Sequence, residues 1–232
     1  AAGLARGDEE NLLAGAVLTQ LTNFQSSEED AHISRDGKFI VFASDQNGPF
    51  HVFRHQINSG IFEDITPGQP DQRNPGNLPA AGFTADGTQI WLAGGQRNGR
   101  LRLLPLLGAG GEPREFLADH AVNASWSPDG KQLVYFDYDP GDLLTITDAT
   151  GGESRKLWID PQGDHNHFPA WSPDGQWIYF ANGSQATTEY DVDRIKSATG
   201  GEPERLTNLN TYVRYLTPID DRTLLFVAPD ED

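Results

Sequence analysis

One short motif recurs along the chain and constrains its fold more than any other feature. Ser34-Arg35-Asp36-Gly37, Thr84-Ala85-Asp86-Gly87, Ser127-Pro128-Asp129-Gly130 and Ser172-Pro173-Asp174-Gly175 align directly, and Thr217-Pro218-Ile219-Asp220-Asp221 is a weaker fifth copy. From Gly37 to Gly87, Gly130 and Gly175 the steps are 50, 43 and 45 residues. A period of that size marks a chain assembled from one supersecondary unit that stacks on its neighbours. Proline presets φ at the second residue of a turn, aspartate tolerates the corner, and glycine accepts a left-handed exit that a β-carbon resists. Each copy therefore predicts a hairpin.

The residues after each turn agree. Phe39-Ile40-Val41-Phe42, Ile90-Trp91-Leu92, Leu133-Val134-Tyr135-Phe136, Trp177-Ile178-Tyr179-Phe180 and Leu224-Leu225-Phe226-Val227 are near-continuous apolar runs, as expected of strands covered on both faces. A third strand such as His51-Val52-Phe53 or Leu143-Leu144-Thr145-Ile146 follows. A glycine turn then leads to a fourth strand ending in Ile65-Thr66, Phe116-Leu117, Leu157-Trp158 or Leu206-Thr207. Four antiparallel strands per roughly 40–45 residues is a propeller blade. The predicted fold is all-β: a β-propeller of four complete four-stranded blades plus a partial fifth.

Residues 18–22, Leu-Thr-Gln-Leu-Thr, read as the fourth strand of a blade whose first three strands are missing. Two arrangements stay open. This strand joins the C-terminal pair to close a small ring, or the chain is part of a larger propeller, and the second is favoured. The predicted domain occupies residues 16–232, with residues 1–15 a linker or short helix. With no methionine, the chain reads as a piece of a longer one.

Composition narrows the chemistry. The absence of cysteine removes disulfides, thiolate zinc sites and cysteine nucleophiles. Thirty-four acidic against 17 basic residues give a net charge of -17, which repels nucleic acid and favours cationic peptides, metal ions or basic partner surfaces. No apolar run approaches the roughly 20 residues of a transmembrane helix. The nucleophile elbow, the phosphate-binding loop and the His-Glu-x-x-His zinc motif are all missing.

Trp171-Ser172-Pro173-Asp174-Gly175, Ile178-Tyr179-Phe180, Gly200-Gly201 and Glu204-Arg205-Leu206-Thr207 together resemble the TolB-type propeller repeat, over about residues 16–228. Arg35 and Ala85 depart from its proline. Related repeats occur in the periplasmic TolB protein, in extracytoplasmic regions of bacterial kinases and regulators, in prolyl oligopeptidase-like enzymes and in oligogalacturonate lyases. The resemblance implies a fold more strongly than an activity. It also implies a periplasmic or other extracytoplasmic bacterial location.

In a propeller, the loops entering the innermost strands and those between second and third strands gather on one face around the channel, where ligands are sought. In the first two blades these loops carry Asp30, His32, Asp71 and Arg73. The next two carry Asp119, His120, Asp164, His165 and His167, and the partial blade carries Arg214. Imidazoles two apart on an extended segment point the same way, so His165 and His167 are candidate ligands of a first-row metal, with a carboxylate or amide completing the set. The stretch Gln162 to His167 is similar to the manganese-binding stretch of oligogalacturonate lyases. That similarity implies Gln162, His165 and His167 as ligands, with His120 the candidate for a further one. Asp137, Asp139 and Asp142 form a separate oxygen-rich group suited to calcium. The cofactor expectation is thus none, or a divalent manganese, zinc or calcium ion. Trp126 and Trp171 recur at one repeat position and are assigned to packing between blades; Trp158, just before the histidine cluster, is assigned to the core, with the border of a sugar or peptide site as its alternative.

The leading functional expectation is a non-enzymatic recognition or sensor module binding a peptide, partner protein or small ligand on the channel-entrance face. The alternatives are a metal-dependent polysaccharide lyase or hydrolase, and the non-catalytic propeller of a larger kinase or peptidase. Open blade faces also imply self-association.

Overall fold

A computed structural model describes residues 14–72, 81–93, 100–108, 112–117, 121–137, 142–184 and 186–229. Its strands form four four-stranded antiparallel sheets and one of two strands, arranged as the blades of a propeller ring. Blade 1 comprises β1 (Glu28–Ile33), β2 (Phe39–Ser44), β3 (His51–Gln56) and β4 (Phe62–Asp64). Blade 2 comprises β5 (Ala81–Phe83), β6 (Gln89–Leu92), β7 (Arg102–Pro105) and β8 (Arg114–Glu115). Blade 3 holds β9 (Ala121–Trp126), β10 (Gln132–Asp137), β11 (Leu143–Asp148) and β12 (Ser154–Trp158). Blade 4 holds β13 (His165–Trp171), β14 (Trp177–Ser184), β15 (Glu189–Lys196) and β16 (Glu204–Arg205). The partial blade is β17 (Arg214–Pro218) with β18 (Leu224–Val227). Each sheet runs in sequence order, so the first strand of every blade is innermost. Side chains of all five innermost strands line a central channel of about 600 Å³.

The repeated turn is held by side chains as much as by backbone. The Ser172 hydroxyl donates to Asp174 Oδ1 (2.5 Å) and accepts from the Trp177 N–H (2.9 Å). Ser34 and Ser127 make the same pair of bonds, and Thr84 substitutes for serine in blade 2. Asp174 Oδ1 also accepts the Gln176 N–H, a further bond across the same corner. Gly37, Gly87, Gly130 and Gly175 have φ of 69°, 66°, 73° and 73°, the left-handed exit expected of them. This bonding explains why Arg35 and Ala85 replace proline without loss of the turn. In the partial blade the Ile219 N–H donates to the Thr223 carbonyl (2.9 Å), and Asp220 Oδ1 accepts from Arg222 and Thr223. The fifth turn therefore starts at Ile219, two residues later than the sequence alignment places it.

A second repeated device lies in the innermost strands. Asp30, Asn123, Phe168 and Tyr215 have φ of 56°, 54°, 55° and 55°, each four residues before the first residue of its turn. At each of these points the pairing register shifts, forming a bulge. Bulky residues with positive φ are rare, and bulges commonly re-aim side chains beside a site. The corresponding residue of blade 2 lies outside the described residues.

Apolar side chains fill the spaces between blades. Val41 and Val52 of blade 1 pack with Ile90 and Leu104 of blade 2. Trp91 and Leu103 pack with Leu133 and Tyr135 of blade 3. Phe136, Leu144, Phe180 and Val192 join Val213 beside the partial blade. Phe136 and Phe180 are wholly buried, and such burial stabilises by about 1.5–3 kcal/mol per side chain. The tryptophans join blades as expected: Trp171 Nε1 donates to the Ser125 carbonyl (2.9 Å), Trp126 stacks on Phe116, and Trp158 packs on Phe180.

Residues 18–22 do not form the expected fourth strand, and the sheet of β17 and β18 has no third member among the described residues. The segment is anchored on blade 1 instead. Phe24 packs edge-on against Phe62 at 4.9 Å, and the Thr22 hydroxyl donates to Glu28 (2.6 Å). Val17 and Leu18 stand 88% and 96% exposed, without the sheet contact that would cover them.

Two predictions follow from these elements. The Ser34 hydroxyl, helped by Lys38, holds Asp36 at about 2, and similar bonds lower Asp86, Asp129 and Asp174. Their unfolded counterparts titrate near ~3.9. The folded chain thus binds fewer protons, and the stabilisation present above about pH 4 is lost as pH falls toward the folded values. Urea midpoints measured from pH 5 to pH 2 should fall through this window, and fall less in a Ser127→Ala/Ser172→Ala double variant; midpoints that do not change would contradict the assignment. Separately, a β-carbon on Gly183 in β14 would collide with the Glu189 carbonyl oxygen and the Tyr190 backbone. Gly183→Ala should destabilise by about 1–3 kcal/mol in thermal unfolding.

Candidate functional site

The channel-entrance face of blades 3 and 4 brings together residues that lie far apart in sequence. Asp160 Oδ1 accepts the N–H groups of Gln162 (2.6 Å) and Asp164 (3.3 Å), and Gly163 turns the chain with φ of 81°. The chain then enters β13, where His165, Asn166 and His167 pair with Gly183, Asn182 and Ala181. Alternation along this strand places the two imidazoles on one side, ring centroids 5.9 Å apart, and Asn166 on the other. Gln162 itself is exposed on the turn.

Asp142 arrives from blade 3, on the loop between its second and third strands. Its side chain is 2% exposed, with Oδ2 2.5 Å from His165 Nδ1 and 3.7 Å from His167 Nε2. The shorter contact has the length but not the direction of a hydrogen bond, so Oδ2 is enclosed with its acceptor capacity unused. Asp142, His165 and His167 each offer one donor atom, all within 4.8 Å of one another. The histidine pair and Asp142, one member of the acidic group, thus meet in one cluster across a blade interface.

Buried amides hold this cluster in place. Asn166 Nδ2 donates to the Asp142 carbonyl (3.1 Å), and Asn166 Oδ1 accepts from Asn182 (3.0 Å). Asn182 Oδ1 in turn accepts from Arg205, which pairs with Asp191 and Asp193. His167 stacks on Tyr190 at 5.4 Å, and Tyr190 meets Tyr212 edge-on at 5.9 Å. Arg214 covers the Tyr212 ring at 4.2 Å and donates to its hydroxyl, while its own Nε is enclosed without a hydrogen bond. Burial, then the neighbouring Tyr212, Asp142 and Asp164, push the Tyr190 phenol up to about 12, so it stays a neutral hydroxyl. The sequence analysis did not select Tyr190 or Tyr212. The signal was available in their positions, at the start of a third strand and on an entering loop.

The remaining predicted residues fall elsewhere on the ring. Asp30, the bulge residue of β1, accepts a hydrogen bond from the Tyr215 hydroxyl across the seam between blade 1 and the partial blade. A cleft of about 720 Å³ opens at this seam, lined in part by Glu28, Glu29, Arg214 and Phe62. His32 lines the channel 6.1 Å from Trp91. Its Nε2 is enclosed without a partner although part of the ring stays accessible, and burial lowers its pKa to about 4, so the ring is neutral. Asp71 is half-buried on the loop leaving blade 1. Arg73, Asp119, His120 and Asp139 lie outside the described residues. Among the described residues no helix is long and apolar enough to cross a membrane.

No family model matches the chain. An uncharacterized protein of Agrobacterium fabrum is 28% identical over 156 residues, which are 65% of this chain and 51% of that protein. The chain thus spans about half the length of the curated relative it matches. A structure assigned to TolB from Agrobacterium tumefaciens superposes with a TM-score of 0.63 at 25% identity, over 89% of this chain and 72% of that one. TolB from Acinetobacter baumannii superposes with a TM-score of 0.66 at 18% identity, over 89% of this chain and 55% of that one. With its repeated Ser-x-Asp-Gly turns and four-stranded blades, the chain is a β-propeller built of repeats like those of these TolB structures.

Proposed function

We propose that this propeller is a non-catalytic recognition module that binds an extended, basic segment of a peptide or partner protein at the channel entrance. The observation that carries this reading is a set of enclosed polar atoms without partners among the described residues. They are Arg214 Nε at the mouth, and His32 Nε2 and both amide atoms of Asn123 along the channel. A buried polar atom left unpaired costs about 1–3 kcal/mol, which a ligand supplying the missing bonds recovers. The channel and the seam cleft, at about 600 and 720 Å³, have the size of ordinary ligand sites. The net charge of -17 favours a basic partner and speeds its approach. On this reading the ring is a rigid frame, and its specificity resides in loops and bulge residues. The likeness to TolB structures supports an extracytoplasmic bacterial setting for such a module.

The test is a phage-displayed library of extended peptides enriched in Lys and Arg, selected against the chain, with affinities then measured by fluorescence anisotropy. Selected peptides should bind Asn123→Ala and Asp164→Asn at least about tenfold more weakly, a change of about 1.4 kcal/mol. Lys156→Ala, on the outer strand of blade 3, should bind them as the parent does. Affinity lost with Lys156→Ala but kept in the two channel-face variants would move recognition to the rim and defeat the proposal.

A further inference from the structure

We infer that Asp142, His165 and His167 form a binding site for one divalent first-row transition ion, with zinc as its representative occupant. The inference rests on the cluster itself and is independent of whether a partner docks above it. Three donor atoms from two blades lie within 4.8 Å of one another, two of them imidazole nitrogens and one a carboxylate oxygen. The Asp142 side chain is 2% exposed, and the oxygen turned toward the imidazoles makes no hydrogen bond. A buried carboxylate is expensive to maintain unless a cation or donors meet it. An ion bound to all three groups supplies that charge and also uses the idle acceptor.

The spacing suits such an ion after a small adjustment. Bonds of about 2.0–2.1 Å in tetrahedral geometry hold ligand atoms about 3.3 Å apart. Asp142 Oδ2 lies 2.5 Å from His165 Nδ1 and 3.7 Å from His167 Nε2, so one distance lengthens and the other shortens by less than 1 Å, and the two imidazole nitrogens, within 4.8 Å of each other, close by at most about 1.5 Å. The two groups that set the limits of this movement are already held. Asn166 fixes the Asp142 main chain, and Tyr190 stacks on His167. His165, with 32% of its side chain exposed, is free to adjust.

The donor set also decides which ion. Calcium and magnesium take oxygen ligands, and two imidazoles with one carboxylate suit zinc, cobalt, nickel or iron instead. The third ligand is thus Asp142, which the sequence grouped with calcium-type carboxylates, while Gln162 stays on the exposed turn. Three protein ligands leave a fourth coordination position for water or for a donor from a docked partner.

The experiment uses the tag-free full chain, stripped with chelator and titrated with Co2+ while visible absorption is recorded. One equivalent of Co2+ should bind with the intense d–d bands of a low-coordinate site, and Zn2+ should displace it while excess Ca2+ does not. Asp142→Asn and His167→Ala should bind at least tenfold more weakly, and Asp36→Asn, in a distant turn, should match the parent. Near-UV circular dichroism reports whether each variant folds. If the buried variants do not fold, His165→Ala at the accessible edge carries the same expectation. Absence of stoichiometric uptake, unchanged affinity in the folded ligand variants, or equal competition by Ca2+ would each overturn the inference.

Discussion

A blade of this protein cannot cover both of its own faces, and that single requirement organises the ring. Phe136 and Phe180 are wholly buried because blades 3 and 4 each supply half of the enclosure. The same holds for Trp91 between blades 2 and 3 and for Val41 between blades 1 and 2. Stability in such an array is close to a sum of nearest-neighbour interfaces. Within this frame each unit is locally self-sufficient. The serine–aspartate turn meets its own hydrogen-bonding needs, so its sequence need only agree with itself.

That division of labour separates the residues that identify the fold from those that equip the channel face. The turns lie at the end of the hairpins away from the entering loops. Toward the other end, each described bulge displaces the register and gives one side chain a new direction: Asp30, Asn123, Phe168 or Tyr215. These four residues differ chemically while sharing a backbone conformation. A scaffold that repeats its geometry and varies its side chains can present different groups around one channel without rebuilding the strands.

The sequence disclosed the blades, the hairpin turns and the packing role of Trp126, Trp158 and Trp171, because these depend on local pattern and on period. It disclosed that His165 and His167 share a side, because strand alternation requires it. It did not join Asp142 to them, since that contact crosses an interface between units about two dozen residues apart and depends on how blades abut. The bulge conformations of Phe168 and Tyr215 were likewise hidden, as neither residue type favours positive φ. Residues 18–22 have strand character, but the anchoring of Phe24 on Phe42 and Phe62 directs them onto blade 1. Local propensity gave way to a tertiary contact.

The hydrogen bond between Tyr215 and Asp30 has a mechanical meaning. Blade 1 and the β17–β18 pair share no main-chain ladder among the described residues, so their seam is fastened by side chains. A ladder resists shear whatever its sequence, but a fastening of one phenol and one carboxylate is as strong as two particular residues make it. Burial and this bond both favour the protonated phenol of Tyr215, and the latch therefore stays intact under alkaline conditions that ionise an ordinary tyrosine. The cleft of about 720 Å³ opens beside that latch, so the same two residues that fasten the seam also border the space next to it.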